Sequence, residues 1–223
     1  MLTACPSTAK KSREELARQG IEFSEKAFFQ QVRDGQTGTV KLFLAAHMSA
    51  DVQELGYTPL LEAARRGHSE IALELIESGA DINTKDPYGV TALMFGLITG
   101  STDVALKLIE KGAEVNSRDV DGRTALVESL TSENEIPPEI VESLVRGGAD
   151  VNIRQAGGLT PLMIAVSGDP RVVRLLVEAG ADINAKDESG AGVRERAGEN
   201  PENIRILEEG QPGRPGVKKE DRP

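Results

Sequence analysis

Four times in this sequence a glycine, an alanine, an acidic residue, an aliphatic residue and an asparagine follow one another, starting at Gly79, Gly112, Gly148 and Gly180. A second phrase, Gly-x-Thr-(Pro/Ala)-Leu, keeps step with it from Gly56, Gly89, Gly122 and Gly158. Two phrases in register at a period near 33 residues dictate a stacked array and not a closed globule. A unit of that size cannot bury an apolar face alone, so each must lean on its neighbours. The first phrase recurs at intervals of 33, 36 and 32 residues. The long interval points to an insertion of three residues within 131–138, and the short one to a deletion in the Ser167-Gly168-Asp169 turn.

Local chemistry predicts two short helices per period. Thr58 is a good N-cap, and Pro59 sits at the first helical position, where it has no N–H to lose. Gly67 stops that helix, and His68-Ser69-Glu70 starts a second with Ile71, Ala72, Leu75 and Ile76 as its apolar stripe, ending at Gly79. Ala80-Asp81-Ile82-Asn83 then leads into an extended arm, and Asp86-Pro87-Tyr88-Gly89 has the composition of a tight turn. Gly96 stands where Ala63 stands one period earlier, which should weaken its helix by about 1 kcal/mol. The period divides the chain into a leader at 1–22, disordered or a short helix over 9–19, and an N-terminal capping repeat at 23–55. Full repeats follow at 56–88, 89–121, 122–157 and 158–189, then a C-terminal capping repeat at 190–209 and a Pro/Gly-rich tail at 210–223 expected to be disordered.

Composition narrows the function. The chain is 39% hydrophobic but only 3% aromatic, without tryptophan, so small aliphatic side chains must do the packing. Its net charge is −10, and residues 23–209 carry 18 Lys/Arg against 31 Asp/Glu. Such a body repels phosphate backbones, so nucleic acid is not an expected partner, whereas a protein or peptide with a basic surface is steered toward it. No apolar run is long enough for a membrane-spanning helix. With one cysteine and two histidines, no intramolecular disulfide and no ordinary His/Cys metal site can form. No cofactor is expected. Gly190-x-Gly192 lacks the third glycine of a dinucleotide fingerprint and reads as a degraded turn, and His68 follows a helix stop, where a structural role is expected.

The whole pattern resembles the ankyrin repeat. Thr58-Pro59-Leu60-Leu61-Glu62-Ala63-Ala64 matches that family's Thr-Pro-Leu-His-x-Ala-Ala except at the histidine, and Gly67-His68 and Gly79-Ala80-Asp81-Ile82-Asn83 match throughout. The resemblance covers about residues 24–209. It implies an all-α ankyrin repeat solenoid of helix-turn-helix units with short β-hairpin-like fingers. Leu61, Met94, Val127 and Met163 stand at the family's histidine, so its hydrogen bonds must be missing and some order between repeats lost. The arm before Gly56 is short, which predicts a stunted first finger, and Gln155 replaces a turn aspartate.

The resemblance further implies a non-enzymatic, monomeric scaffold that holds a protein or peptide on its concave side. The fingertip positions there are Tyr57, Pro87, Tyr88, Val90, Val120, Asp121, Arg123 and Leu159, and the exposed first-helix positions are Arg65, Arg66, Ile98, Thr99, Thr131 and Ser132. Both tyrosines of the chain fall on fingertips, and tyrosine and arginine are over-represented among binding hot spots. As written, the sequence suggests a cytoplasmic protein of bacterial type. An alternative starts from Leu2-Thr3-Ala4-Cys5, which resembles the cleavage box of bacterial lipoproteins although only Met1 precedes it. On that reading Cys5 is lipidated and tethers a periplasmic or envelope adaptor. A third reading is a secreted effector.

Overall fold

The computed structural model describes residues 6–198 and 200–210, so Cys5 and the tail 211–223 lie outside the described residues. The chain divides into two compact units, Met1–Ile136 and Pro137–Pro223.

Unit 1 holds α1 (Pro6–Arg18), α2 (Glu25–Arg33), α3 (Thr37–Ala45), α4 (Pro59–Arg65), α5 (Ser69–Glu77), α6 (Ala92–Ile98), α7 (Thr102–Glu110) and α8 (Ala125–Thr131). The helices form two layers: α2, α4, α6 and α8 pack in one row, and α3, α5 and α7 in another. The starts are set locally. Leu61 N–H donates to Thr58 Oγ1 and Met94 N–H to Thr91 Oγ1, both at 3.3 Å. Leu60, Leu61 and Ala63 of α4 and Leu93, Met94 and Leu97 of α6 are buried in the stack. Burying such a leucine contributes about 1.5–3 kcal/mol.

Residues 6–22 of the leader are part of this stack. Helix α1 packs on α3, with Leu16 fully buried and the Arg13 guanidinium 4.2 Å from the centre of the Phe23 ring. Phe23 in turn stacks on Phe43 of α3 at 5.6 Å. The physical reason is that an end repeat needs a cover that is apolar inside and polar outside. Helix α1 supplies both.

Short two-stranded fingers join the repeats. Asp86 N–H donates to Val90 O at 3.0 Å and Asp119 N–H to Arg123 O at 3.1 Å, each closing a turn. The first finger is as short as the sequence predicts. Glu54 and Tyr57 exchange two backbone hydrogen bonds of 3.0 Å around Leu55-Gly56, whose φ angles are +52° and +82°. That is the two-residue hairpin with both central residues left-handed.

Where the family's histidine is missing, apolar side chains take its place and other groups tie the repeats. Leu61, Met94, Val127 and Met163 are buried in its place. Other side chains make the ties. Asp81 N–H donates to Asp51 Oδ1 at 2.8 Å, and Glu114 N–H to Asn83 Oδ1 at 2.9 Å. His68 Nε2 donates to Arg33 O at 3.1 Å, a structural role, and Ser132 Oγ to Leu97 O at 3.2 Å.

Unit 2 repeats the scheme with α9 (Pro138–Arg146), α10 (Pro161–Ala165), α11 (Pro170–Glu178), α12 (Val193–Arg196) and α13 (Pro201–Glu209). Helix α11 packs against α9, α10 and α13, and α10 against α12. Asp182 N–H donates to Asn152 Oδ1 at 2.8 Å, and Asn203 Nδ2 reaches Val166 O at 2.7 Å. Gly190 lies in a finger turn closed by Asp187 N–H to Ala191 O at 3.0 Å. At Gln155 the turn closes onto Leu159 O at 2.8 Å, through Gly157 and Gly158 with φ of +75° and +77°.

Candidate functional site

The fingers of unit 1 hold side chains up on rigid turns. Asp86 Oδ1 accepts from the N–H groups of Tyr88 (2.9 Å) and Val90 (2.8 Å), and Asp119 Oδ1 from those of Asp121 (2.9 Å) and Arg123 (2.8 Å). Each aspartate thus spends one oxygen on freezing its own turn. Neighbouring turns also touch. Val120 N–H donates to Tyr88 O at 2.9 Å, and a Cβ on Gly89 (φ +78°) would lie 3.0 Å from Asp119 Cα, so only glycine admits the next finger this close.

Three consecutive turns present large apolar side chains to solvent. Leu55 is 86% exposed, Tyr88 62% and Val120 69%, and Ile98 of α6 is exposed as well. Leu55 is the residue the sequence reading missed. It stands one place before Gly56, as Tyr88 stands one place before Gly89, so the register alone could have found it. Its left-handed backbone adds strain to exposure, since a β-carbon in that region costs about 1–2 kcal/mol.

Behind the turns lies a charged cluster on the row of first helices. Glu62 is buried, 3% exposed, and takes hydrogen bonds from Arg66 Nε (2.6 Å) and Arg65 Nη2 (2.8 Å), with Arg33 Nε at 3.4 Å. Arg33 also pairs with Glu54 in the first finger. Burial alone would raise the Glu62 pKa, but the bonds from Arg66 and Arg65 outweigh it and hold the carboxyl below its ordinary value. Arg65 lies over the Tyr57 ring, 5.4 Å from its centre. The Tyr57 hydroxyl faces Asp86 Oδ2 at 3.4 Å, and burial, then the Asp86 charge, push its pKa up. Tyr57 is therefore half-buried and braces the second finger, in contrast to Tyr88. Further along, Arg123 Nη1 pairs with the buried Glu128 at 3.3 Å.

The remaining sequence-derived positions divide by exposure. Pro87, Asp121 and Thr131 are exposed, and Val90 is half-buried. Thr99, also half-buried, turns its hydroxyl back onto Phe95 O at 2.9 Å, and Thr131 onto Val127 O at 3.0 Å. Ser132 ties repeats together through Leu97 O. Leu159 lies in unit 2, half-buried, apart from the thirteen positions that unit 1 carries. Among the described residues no group of three or more His, Cys, Asp or Glu side chains is placed to hold a metal ion.

A family model described as ankyrin repeats (3 copies) matches residues 28–119 and 117–187. The chain is 32% identical over 157 residues to an ankyrin repeat-containing protein of Treponema pallidum, covering 70% of this chain and 41% of that one. It is 41% identical over 61 residues to an ankyrin repeat-containing protein of Schizosaccharomyces pombe, covering 27% of this chain and 30% of that one. The chain thus spans less than half the length of either relative. Ankyrin repeats are in general protein–protein interaction modules, and the family is generally non-enzymatic. With the family's phrases in order, its paired helices and its fingers, this chain belongs to the ankyrin repeat family.

Proposed function

We propose that this protein is a non-enzymatic scaffold that binds a partner protein on the finger and first-helix face of unit 1. The observation that carries this reading is the row Leu55, Tyr88 and Val120, exposed on three consecutive turns. Large apolar side chains held out on hydrogen-bonded turns lose little entropy on binding, so their contacts convert efficiently to affinity. Arg65, Arg66 and Arg123 supply the polar part of the face.

The test compares the wild type with Leu55→Asn/Tyr88→Ala as bait in affinity purification from the native organism. The double variant is expected to lose partner capture by about tenfold or more. Its melting temperature should hold or rise, because asparagine tolerates the left-handed backbone at position 55 better than leucine does. Equal recovery of the same proteins by both baits would show that the face is wrongly assigned.

A further inference from the structure

We infer that Glu62 is a positioning residue for the binding face: from beneath the surface it holds the fingertips of Leu55 and Tyr88 at one fixed spacing. This rests on the finger face of unit 1 being the binding face. Two chains of contact run from the Glu62 carboxylate to the two turns.

The first chain is short. Arg33 Nε lies 3.4 Å from Glu62 Oε1, and the same guanidinium pairs through Nη2 with Glu54. Glu54 stands directly before Leu55, and its backbone exchanges both hydrogen bonds of the first finger with Tyr57. The second chain runs through Arg65. Its Nε and Nη2 both donate to Glu62 Oε2, at 3.2 and 2.8 Å. That fork fixes the plane of the guanidinium, whose central carbon lies 5.4 Å from the centre of the Tyr57 ring. The Tyr57 hydroxyl donates to Asp86 Oδ2 at 3.4 Å, while Asp86 Oδ1 accepts from the N–H groups of Tyr88 and Val90. The two turns also meet directly, since a Cβ on Gly56 would lie 2.9 Å from Pro87 Cγ.

Burial is what lets Glu62 act at this distance. An exposed ion pair gives way to water and fixes little. Glu62 is buried, so its charge has no water to turn to, and Arg33, Arg65 and Arg66 stay where it holds them. The third finger lacks this link. Val90 stands where Tyr57 stands one period earlier and has no hydroxyl to offer Asp119. Arg123, in the third finger, pairs with Glu128 instead. Leu55 and Tyr88 are thus a braced pair, joined from below through one carboxylate. A partner that meets two tips already at their working distance has less to order on binding.

Amide hydrogen exchange, read residue by residue by NMR on the full chain, tests this without a partner. In Glu62→Gln the N–H groups of Tyr57, Tyr88 and Val90 are expected to exchange about tenfold faster or more than in the wild type. Those of Asp121 and Arg123, held by Asp119 in the same manner, should keep their rates. A merely structural Glu62 would move both sets alike or neither, and either result would overturn the positioning role. Tyr57→Phe keeps the ring under Arg65 and removes only the hydroxyl, so it tests the second chain even if Glu62→Gln does not fold. The Tyr88 and Val90 N–H groups should then exchange about threefold faster or more, and unchanged rates would overturn the brace. Partner capture by Leu55→Asn/Tyr88→Ala is a separate readout. Equal capture by wild type and double variant removes the binding face, and this role for Glu62 with it, whatever the exchange shows. Lost capture with unchanged exchange removes the role of Glu62 alone.

Discussion

Glu62 keeps a charge inside the row of first helices because Arg66, Arg65 and Arg33 surround it. Removing the charge while keeping the shape should expose what the cluster contributes. Glu62→Gln is expected to cost about 1.5–3 kcal/mol at neutral pH, the range for hydrogen bonds to a charged group. The pH dependence has a definite sign. A carboxyl whose folded pKa lies below its unfolded one stabilises the fold above the ordinary glutamate range, and the contribution is lost as pH falls through the folded value. Melting curves of wild type and variant should therefore converge below about pH 4. A gap that stays constant into acid would take the ion pairs out of the account. The same cluster explains why Arg65 and Arg66 are poor alanine-scan targets: removing either strands part of a buried charge and disturbs the fold along with the surface.

The helices themselves were legible wherever their signals are local. Thr58, Pro59 and Gly67 mark a start and a stop by chemistry acting within a few residues, and α4 runs between them. Helix α1 was legible only as one option, a short helix over 9–19, and its packing was not, because among the described residues Leu16 is its one fully buried apolar side chain, and one such residue makes no stripe. Its role depends on Phe23 and Phe43, which only the fold brings near. The face shows the same limit. Tyr88 and Val120 precede their turn glycines and stand out, whereas Tyr57 follows Gly56 and turns inward, because Arg65 and Asp86 reach it. Leu55 lies in the short arm before Gly56, and its exposure follows from the left-handed turn there, which only the fold shows. Gly96 gives this scale its prediction. A Cβ there would meet Ala105 N and Ser101 O at 3.5 Å, ordinary contact distance, in the middle of α6. Gly96→Ala should therefore stabilise unit 1 by about 0.5–1 kcal/mol, read as a rise in unfolding midpoint. A fall would mean that the α6–α7 contact has less room than these distances give.

At the scale of the molecule, stability in a repeat array is a sum of repeat and neighbour terms, and an end cover matters as much as a central seam. Leu16→Ala should cost about 2–5 kcal/mol although it lies in the leader. Both tyrosines lie in unit 1 and the chain has no tryptophan, so tyrosine fluorescence reports on that unit alone. An unfolding midpoint unchanged in that signal would show α1 to be dispensable. The ties between repeats carry a further consequence. Asn83 accepts from the N–H of Glu114, and Asn152 from that of Asp182. In each case the acceptor is the fifth residue of one copy of the phrase and the donor the third residue of the next. Both halves of the joint are written in the same five letters. A gene that duplicates or drops one whole period leaves a complete joint at the new seam, so the array can lengthen or shorten without any new contact having to arise.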